Sequence, residues 1–138
     1  MKYILYALTP LLLTACAATT KPAVQVEVLA KTTKSWNNQT LPAYPTGQPE
    51  VTVLRIVIPP DTTLPWHKHP VINAAVILKG KLTVVSKDGQ TRHLNSGDAL
   101  VELVNTWHYG INKSEQDVEL IVFYAGTTDL PITVKKPD

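Results

Sequence analysis

Val71-Ile72-Asn73-Ala74-Ala75-Val76-Ile77-Leu78-Lys79-Gly80-Lys81-Leu82-Thr83-Val84-Val85-Ser86-Lys87-Asp88-Gly89 is the stretch on which the fold turns. Its apolar runs are rich in Val and Ile, whose branched Cβ fits a pleated surface better than a helix. Lys79-Gly80 and Asp88-Gly89 close the runs, and an Asp-Gly pair between apolar segments is a strong hairpin signal. The stretch predicts two strands and a tight reversal into a third.

The same pattern continues on both sides. Residues 51–58 form a β-branched run that stops at Pro59-Pro60, and residues 91–94 return from the Asp-Gly turn to Asn95-Ser96-Gly97-Asp98. Residues 99–104, 107–112, 118–125 and 132–134 complete the set. Beyond the N-terminal segment, no window sustains helical periodicity over three turns. Short strands about ten residues apart, broken by turn chemistry, imply one all-β sandwich or barrel. With one Phe and one Met, its core must be built from Val, Ile and Leu together with Trp and Tyr.

Composition narrows the function. The chain has 138 residues, 44% of them apolar and 17% charged, which suits one globular domain. A net charge of +2, with 13 Lys and Arg scattered along the sequence, gives no basic band for nucleic acid.

The first residues read as a targeting segment. Lys2 precedes an apolar stretch from Ile4 to Leu13, too short to span a bilayer, which needs ~20 apolar residues. It ends in Leu13-Thr14-Ala15-Cys16, which resembles the bacterial lipobox, in which the cysteine receives a lipid and cleavage falls before it. An ordinary signal peptide with an incidental cysteine is the other reading. Cys16 is the single cysteine, so no internal disulfide can form, and lipidation would consume the unpaired thiol of an exported chain. The expected organisation is a lipoprotein signal at 1–15, a lipid-anchored arm at 16–47 and a β-domain at 48–138. Ala17 after the cysteine points to the outer membrane, facing the periplasm, in a Gram-negative host. In the arm, Val24, Val26 and Val28 alternate with polar residues and predict one half-buried strand, with Trp36 and Tyr44 as anchors.

Histidines carry the chemistry. His67 and His69, at i and i+2, share one face of an extended chain, and His108 follows about forty residues later at the end of another apolar run. Any one of them is explained well enough as a solvated or core residue. Together they offer three imidazoles to a first-row transition ion. No serine, base and acid arrangement of a nucleophilic triad emerges.

The segment from Asp61 to Asn112 resembles the cupin superfamily. The first cupin motif pairs two histidines with a glutamate and then a glycine; here His67 and His69 precede Asn73 at the glutamate position and Gly80 at the glycine position. The second motif places a glycine, a proline-x-glycine turn, a histidine and an asparagine; here Gly97, His108 and Asn112 match, with Leu103 and Asn105 at the turn positions. The resemblance implies a double-stranded β-helix, a jelly-roll barrel holding one divalent ion on His67, His69 and His108. Iron, zinc, manganese, nickel and copper are not distinguished.

Asn73 is the main departure, because it withdraws the anionic ligand. Three neutral imidazoles leave an ion its full charge, which strengthens its pull on bound water and disfavours harder ions such as Mn(II). Asn73 and Glu102 are therefore candidates for the site or its pocket. Glu102 shares parity with Leu100 and Val104; facing inward it would need a metal or buried partner, and a solvated, outward position is the expectation. Arg55 and Arg92, the only arginines, could hold an anionic substrate, although both also read as surface strand residues. Tyr124 is a further pocket candidate. Trp107 and Tyr109 should point away from His108, and His93 should be exposed.

Two functions stay open. One is an envelope cupin acting on a small molecule by dioxygenase- or isomerase-like chemistry. The other is a non-catalytic binding or interaction module with a degenerate metal site. The exposed β-edges make a homodimer plausible in either case.

Overall fold

The computed structural model describes residues 23–137; Cys16 and the rest of the signal segment lie outside the described residues. Ten strands form: β1 (Pro49–Ile58), β2 (Thr62–Thr63), β3 (His67–Lys68), β4 (Ile72–Lys79), β5 (Lys81–Ser86), β6 (Thr91–Asn95), β7 (Ala99–Val101), β8 (His108–Asn112), β9 (Val118–Thr127) and β10 (Val134–Lys135). Among the described residues there is no helix. Two antiparallel sheets face each other, one ordered β1-β9-β4-β7 and the other β10-β3-β8-β5-β6, with β2 added to β8. This is the all-β class expected from the alternating sequence, in the jelly-roll form that the cupin resemblance implies.

Alternation along each strand builds the interior. Ala75 and Ile77 of β4, Leu82 and Val84 of β5, and Leu120, Val122 and Tyr124 of β9 turn inward and are almost fully buried. Gly80 joins β4 to β5 at φ +81°, where a Cβ would stand 2.7 Å from the Asp117 carbonyl oxygen. Only glycine fits that corner. The predicted Asp-Gly hairpin links β5 to β6, and the Asp98 carboxylate closes the next turn by accepting the Asn95 amide at 2.7 Å.

Three expectations need correction. Val24, Val26 and Val28 form no strand and are 93%, 86% and 70% exposed, because no neighbouring chain offers a ladder to them among the described residues. Tyr44 is likewise exposed and anchors nothing, whereas Trp36 packs against the core. The run at 99–104 is strand only as far as Val101: Asn105 adopts φ +54°, and Val104 makes an isolated bridge to His69.

Candidate metal centre

Strand pairing assembles the three histidines. His67 of β3 lies directly opposite His108 of β8, and cross-strand partners project to the same face. His69, two residues on, shares the face of His67 and is fixed where its carbonyl accepts the Asn105 amide at 2.8 Å. The rings stand 4.6 to 5.1 Å apart between centroids, and one ligand nitrogen from each lies within 4.8 Å of the others.

Backbone carbonyls decide which nitrogens face inward. Nδ1 of His67 lies 2.8 Å from the Pro65 oxygen, Nδ1 of His69 2.8 Å from the Ile132 oxygen, and Nδ1 of His108 2.8 Å from the Thr106 oxygen. A carbonyl oxygen only accepts, so each Nδ1 carries the proton and each Nε2 presents a bare lone pair. Burial reinforces this by disfavouring the charged imidazolium. Desolvation lowers the pKa of His67 and His108, and brings His69 down to about 4 against the pull of its Ile132 bond.

These residues sit at one end of a cavity of about 260 Å³. Its wall is largely aliphatic, including Leu54, Ile56, Leu64, Leu82, Leu120 and Val122. Asn73, Glu102 and Tyr124 also line it, and the Tyr124 ring lies 5.4 Å from that of His69. Buried in this wall, the Tyr124 phenol has its pKa raised. Asn73 Oδ1 and His108 Nε2 are both buried without a hydrogen-bond partner. Such orphaned acceptors are costly in a finished interior and are expected where a cation belongs. The donor set therefore fits a divalent transition ion.

Glu102 takes the inward alternative, not the solvated one. Its side chain is 12% exposed, and Oε2 lies 3.5 Å from His108 Nε2. Desolvation pushes its pKa up to about 7, opposed by the Leu103 amide that donates to it. Arg55 and Arg92 do not enter the cavity. Arg55 pairs with Glu119 on the outer face of the β1–β9 pair, where its register places it outward. Arg92 lies on β6 in a separate surface groove beside Lys34 and Trp36. His93 is exposed and bonds Thr83 at 3.0 Å. Tyr109 packs edge-on against Trp66 outside the barrel, and Lys68 Nζ stands 5.2 Å from the centroid of Trp107.

Sequence reasoning missed the part played by the C-terminal segment. Ile132 and Thr133 both approach His69 Nδ1, at 2.8 and 3.2 Å, and Lys135 lines the cavity rim. Trp36 from the arm was read as an anchor, yet its indole N–H is buried beside Glu102 without completing a hydrogen bond.

A double-sheet jelly roll with two histidines on one strand segment and a third on the strand beside it defines a cupin-type β-barrel with a candidate metal site. The family profile described as Cupin domain matches residues 54–124, just over half of the chain, and the chain belongs to that family. Comparison with curated proteins finds no match. Among solved structures the chain is similar to an oxalate oxidase in complex with the substrate analogue glycolate, at 22% identity and a TM-score of 0.53 over 62% of this chain and 45% of that one. It is similar to the DMSP lyase of Ruegeria pomeroyi at 19% identity and a TM-score of 0.55, over 62% of this chain and 43% of that one. A polyketide cyclase of Streptomyces resistomycificus matches at 18% identity and a TM-score of 0.55, over 64% of this chain and 61% of that one. The chain thus spans less than half the length of the first two, and the likeness is one of fold.

Proposed function

We propose that this protein is an envelope cupin lipoprotein that holds a divalent transition ion on His67, His69 and His108 and acts there on a small molecule. One observation carries the reading: three Nε2 lone pairs, held free of protons by three Nδ1–carbonyl bonds, converge at the end of an aliphatic cavity. Hydrogen bonds that fix the far nitrogen are the usual support of a metal-ligating histidine. When bound, the ion would supply Lewis acidity and, if redox-active, electron transfer of the dioxygenase type; a proton shift of the isomerase type needs only the first.

The chain's own residues limit the substrate. At about 260 Å³ the cavity is smaller than most drug-sized pockets, which start at roughly 300 Å³. Its aliphatic wall favours a small apolar body, with one polar group directed at the histidines. With Arg55 and Arg92 outside, the only lysine or arginine lining it among the described residues is Lys135, at the rim. The similar solved structures are an oxidase, a lyase and a cyclase, which is consistent with small-molecule chemistry on this fold and does not choose among reactions.

Delivery by lipid on Cys16, to an outer membrane facing the periplasm, belongs to the same reading. It rests on the lipobox resemblance and is tested by mass spectrometry of the Cys16→Ser variant beside the parent. A homodimer is also part of it, formed by a second copy against the outer face of β1 and β9. There Val51, Val53, Val57 and Phe123 are solvent-exposed, and β1 is a ten-residue sheet edge.

The second reading, a non-catalytic binding module, is favoured by Asn73, which puts a neutral amide where the cupin motif has its anionic ligand. Metal analysis separates the two. Purified without a histidine tag, the parent should carry one equivalent of metal and the His67→Ala/His108→Ala variant none. A parent that stays empty after supply of iron, zinc, manganese, nickel and copper would overturn the metal-centre reading in favour of the module.

A further inference from the structure

Glu102 leaves the ladder of β7 at the point where the chain turns towards His108, and this places a carboxylate beside the histidines from a different strand than the cupin motif uses. Given the three-histidine site on which it rests, we propose that Glu102 is the anionic metal ligand of this protein, replacing the carboxylate lost at Asn73.

The geometry favours a shared ion over a direct bond. Glu102 Oε2 and His108 Nε2 are 3.5 Å apart, and Nε2 has no hydrogen-bond partner. That separation lies beyond a charge-assisted N–H···O bond, which is about 2.7–2.9 Å long. Two ligand atoms each about 2.0–2.2 Å from one tetrahedral ion stand about 3.3–3.6 Å apart. With Nδ1 already donating to Thr106, Nε2 has no proton to give the carboxylate, and once Glu102 is ionised two acceptors face each other across a gap. A cation satisfies both. A buried carboxylate without a cation is costly, and among the described residues Lys135, at the rim, is the only lysine or arginine that shares the cavity.

The backbone is built to hold this carboxylate inward. The Glu102 amide donates to the Asn73 oxygen at 3.1 Å, and its carbonyl accepts the Ser35 hydroxyl at 2.8 Å. Next to it the Trp36 amide donates to the Val101 oxygen at 3.0 Å, bringing the indole over Glu102. The turn around residues 33–41 of the arm thus clamps the segment that carries Glu102. Asn73 contributes the neighbouring amide oxygen, which remains unpaired.

The test uses the full chain, purified without a histidine tag, stripped of metal and titrated with Co(II) by calorimetry and visible absorption. Parent, Glu102→Gln and Glu119→Gln are compared, the last because Glu119 lies on the outer face. Glu102→Gln should weaken Co(II) binding at least tenfold and change the ligand-field spectrum, while Glu119→Gln matches the parent. Infrared difference spectra of the parent provide a readout that needs no variant to fold: Co(II) should shift a carboxylate band that Glu102→Gln lacks. Equal affinity and an unchanged spectrum in Glu102→Gln, with no carboxylate shift in the parent, would overturn the assignment and leave the histidine site standing. A parent that binds no Co(II) would overturn both.

Discussion

The carbonyl oxygen of Ile132 lies 2.8 Å from Nδ1 of His69, 63 residues earlier in the chain. This contact ties the C-terminal segment to the candidate metal centre by fixing the tautomer of one of its three histidines. Ending the chain at Leu130 removes it while sparing every histidine. Metal affinity should then fall about 10- to 100-fold, the usual effect of losing a partner behind a ligating histidine. Calorimetric titration of the truncated and full chains measures it, and equal affinities would show that the tail is dispensable to the site.

Glu102 and His69 give stability opposite responses to pH in the metal-free protein. Unfolded His69 takes up its proton near pH 6.5, but folded His69 resists until about 4, so its contribution is full above 6.5 and is lost as pH falls towards 4. Glu102 keeps its proton to about pH 7 when folded but loses it near 4.5 when unfolded, so its contribution is full below 4.5 and is lost as pH rises to about 7. At about 1.4 kcal/mol per unit, each amounts to about 3 kcal/mol at most. Metal-free Glu102→Gln should accordingly be more stable than the parent at pH 8, by up to about 3 kcal/mol, with the advantage gone by pH 4.5. Urea unfolding at the two pH values decides it.

Asn112 is structural, although it falls at a motif position. Fully buried, its Nδ2 shares two protons among the Ile58, Pro59 and Gln116 oxygens at 2.8–2.9 Å, and its Oδ1 accepts from the Ser114 amide and hydroxyl. Asn112→Ala would strand several buried carbonyls at once, costing about 3 kcal/mol or more and lowering the melting temperature by roughly 10 °C. Metal affinity of the folded fraction should stay within a few-fold of the parent. Thermal melts beside a metal titration separate the two effects.

Val53 and Phe123 face each other across the β1–β9 register with 59% and 44% of their surface exposed. Replacing both with Lys puts two like charges on the proposed contact between copies. The parent should sediment as a dimer and Val53→Lys/Phe123→Lys as a monomer. If the parent sediments as a monomer at the highest accessible concentration, that face has another use.

Strand identity was legible because it is a local property. Val, Ile and Leu at alternate positions, punctuated by Asp88-Gly89 and Asn95-Ser96-Gly97-Asp98, give nearly the observed boundaries of β1, β4, β5, β6 and β9. Val24, Val26 and Val28 show the limit of that signal. They have the same alternation but no ladder partner among the described residues, and a strand exists only as one side of a pair.

Parity left Glu102 open between two faces, because a carboxylate at the end of a run is stable either in water or beside a cation. Contacts with Ser35, Trp36 and Asn73, all distant from Glu102 in sequence, select the inward face. Arg55 was misleading for the complementary reason. A strand residue of either parity can be imagined reaching a cavity until the register with β9 sets it opposite Ile121 on the outside, where it pairs with the diagonal neighbour Glu119.

Residue type and spacing were enough for the all-β class, the turns and the three imidazoles, and the cupin resemblance set Asn73 in place of an acid. The folded arrangement alone shows which nitrogen each ring presents, that Glu102 stands beside His108, and that Ile132 supports His69. Those outcomes hang on backbone carbonyls and on pairings across sheets, and a carbonyl is the same at every residue, so no letter of the sequence marks it.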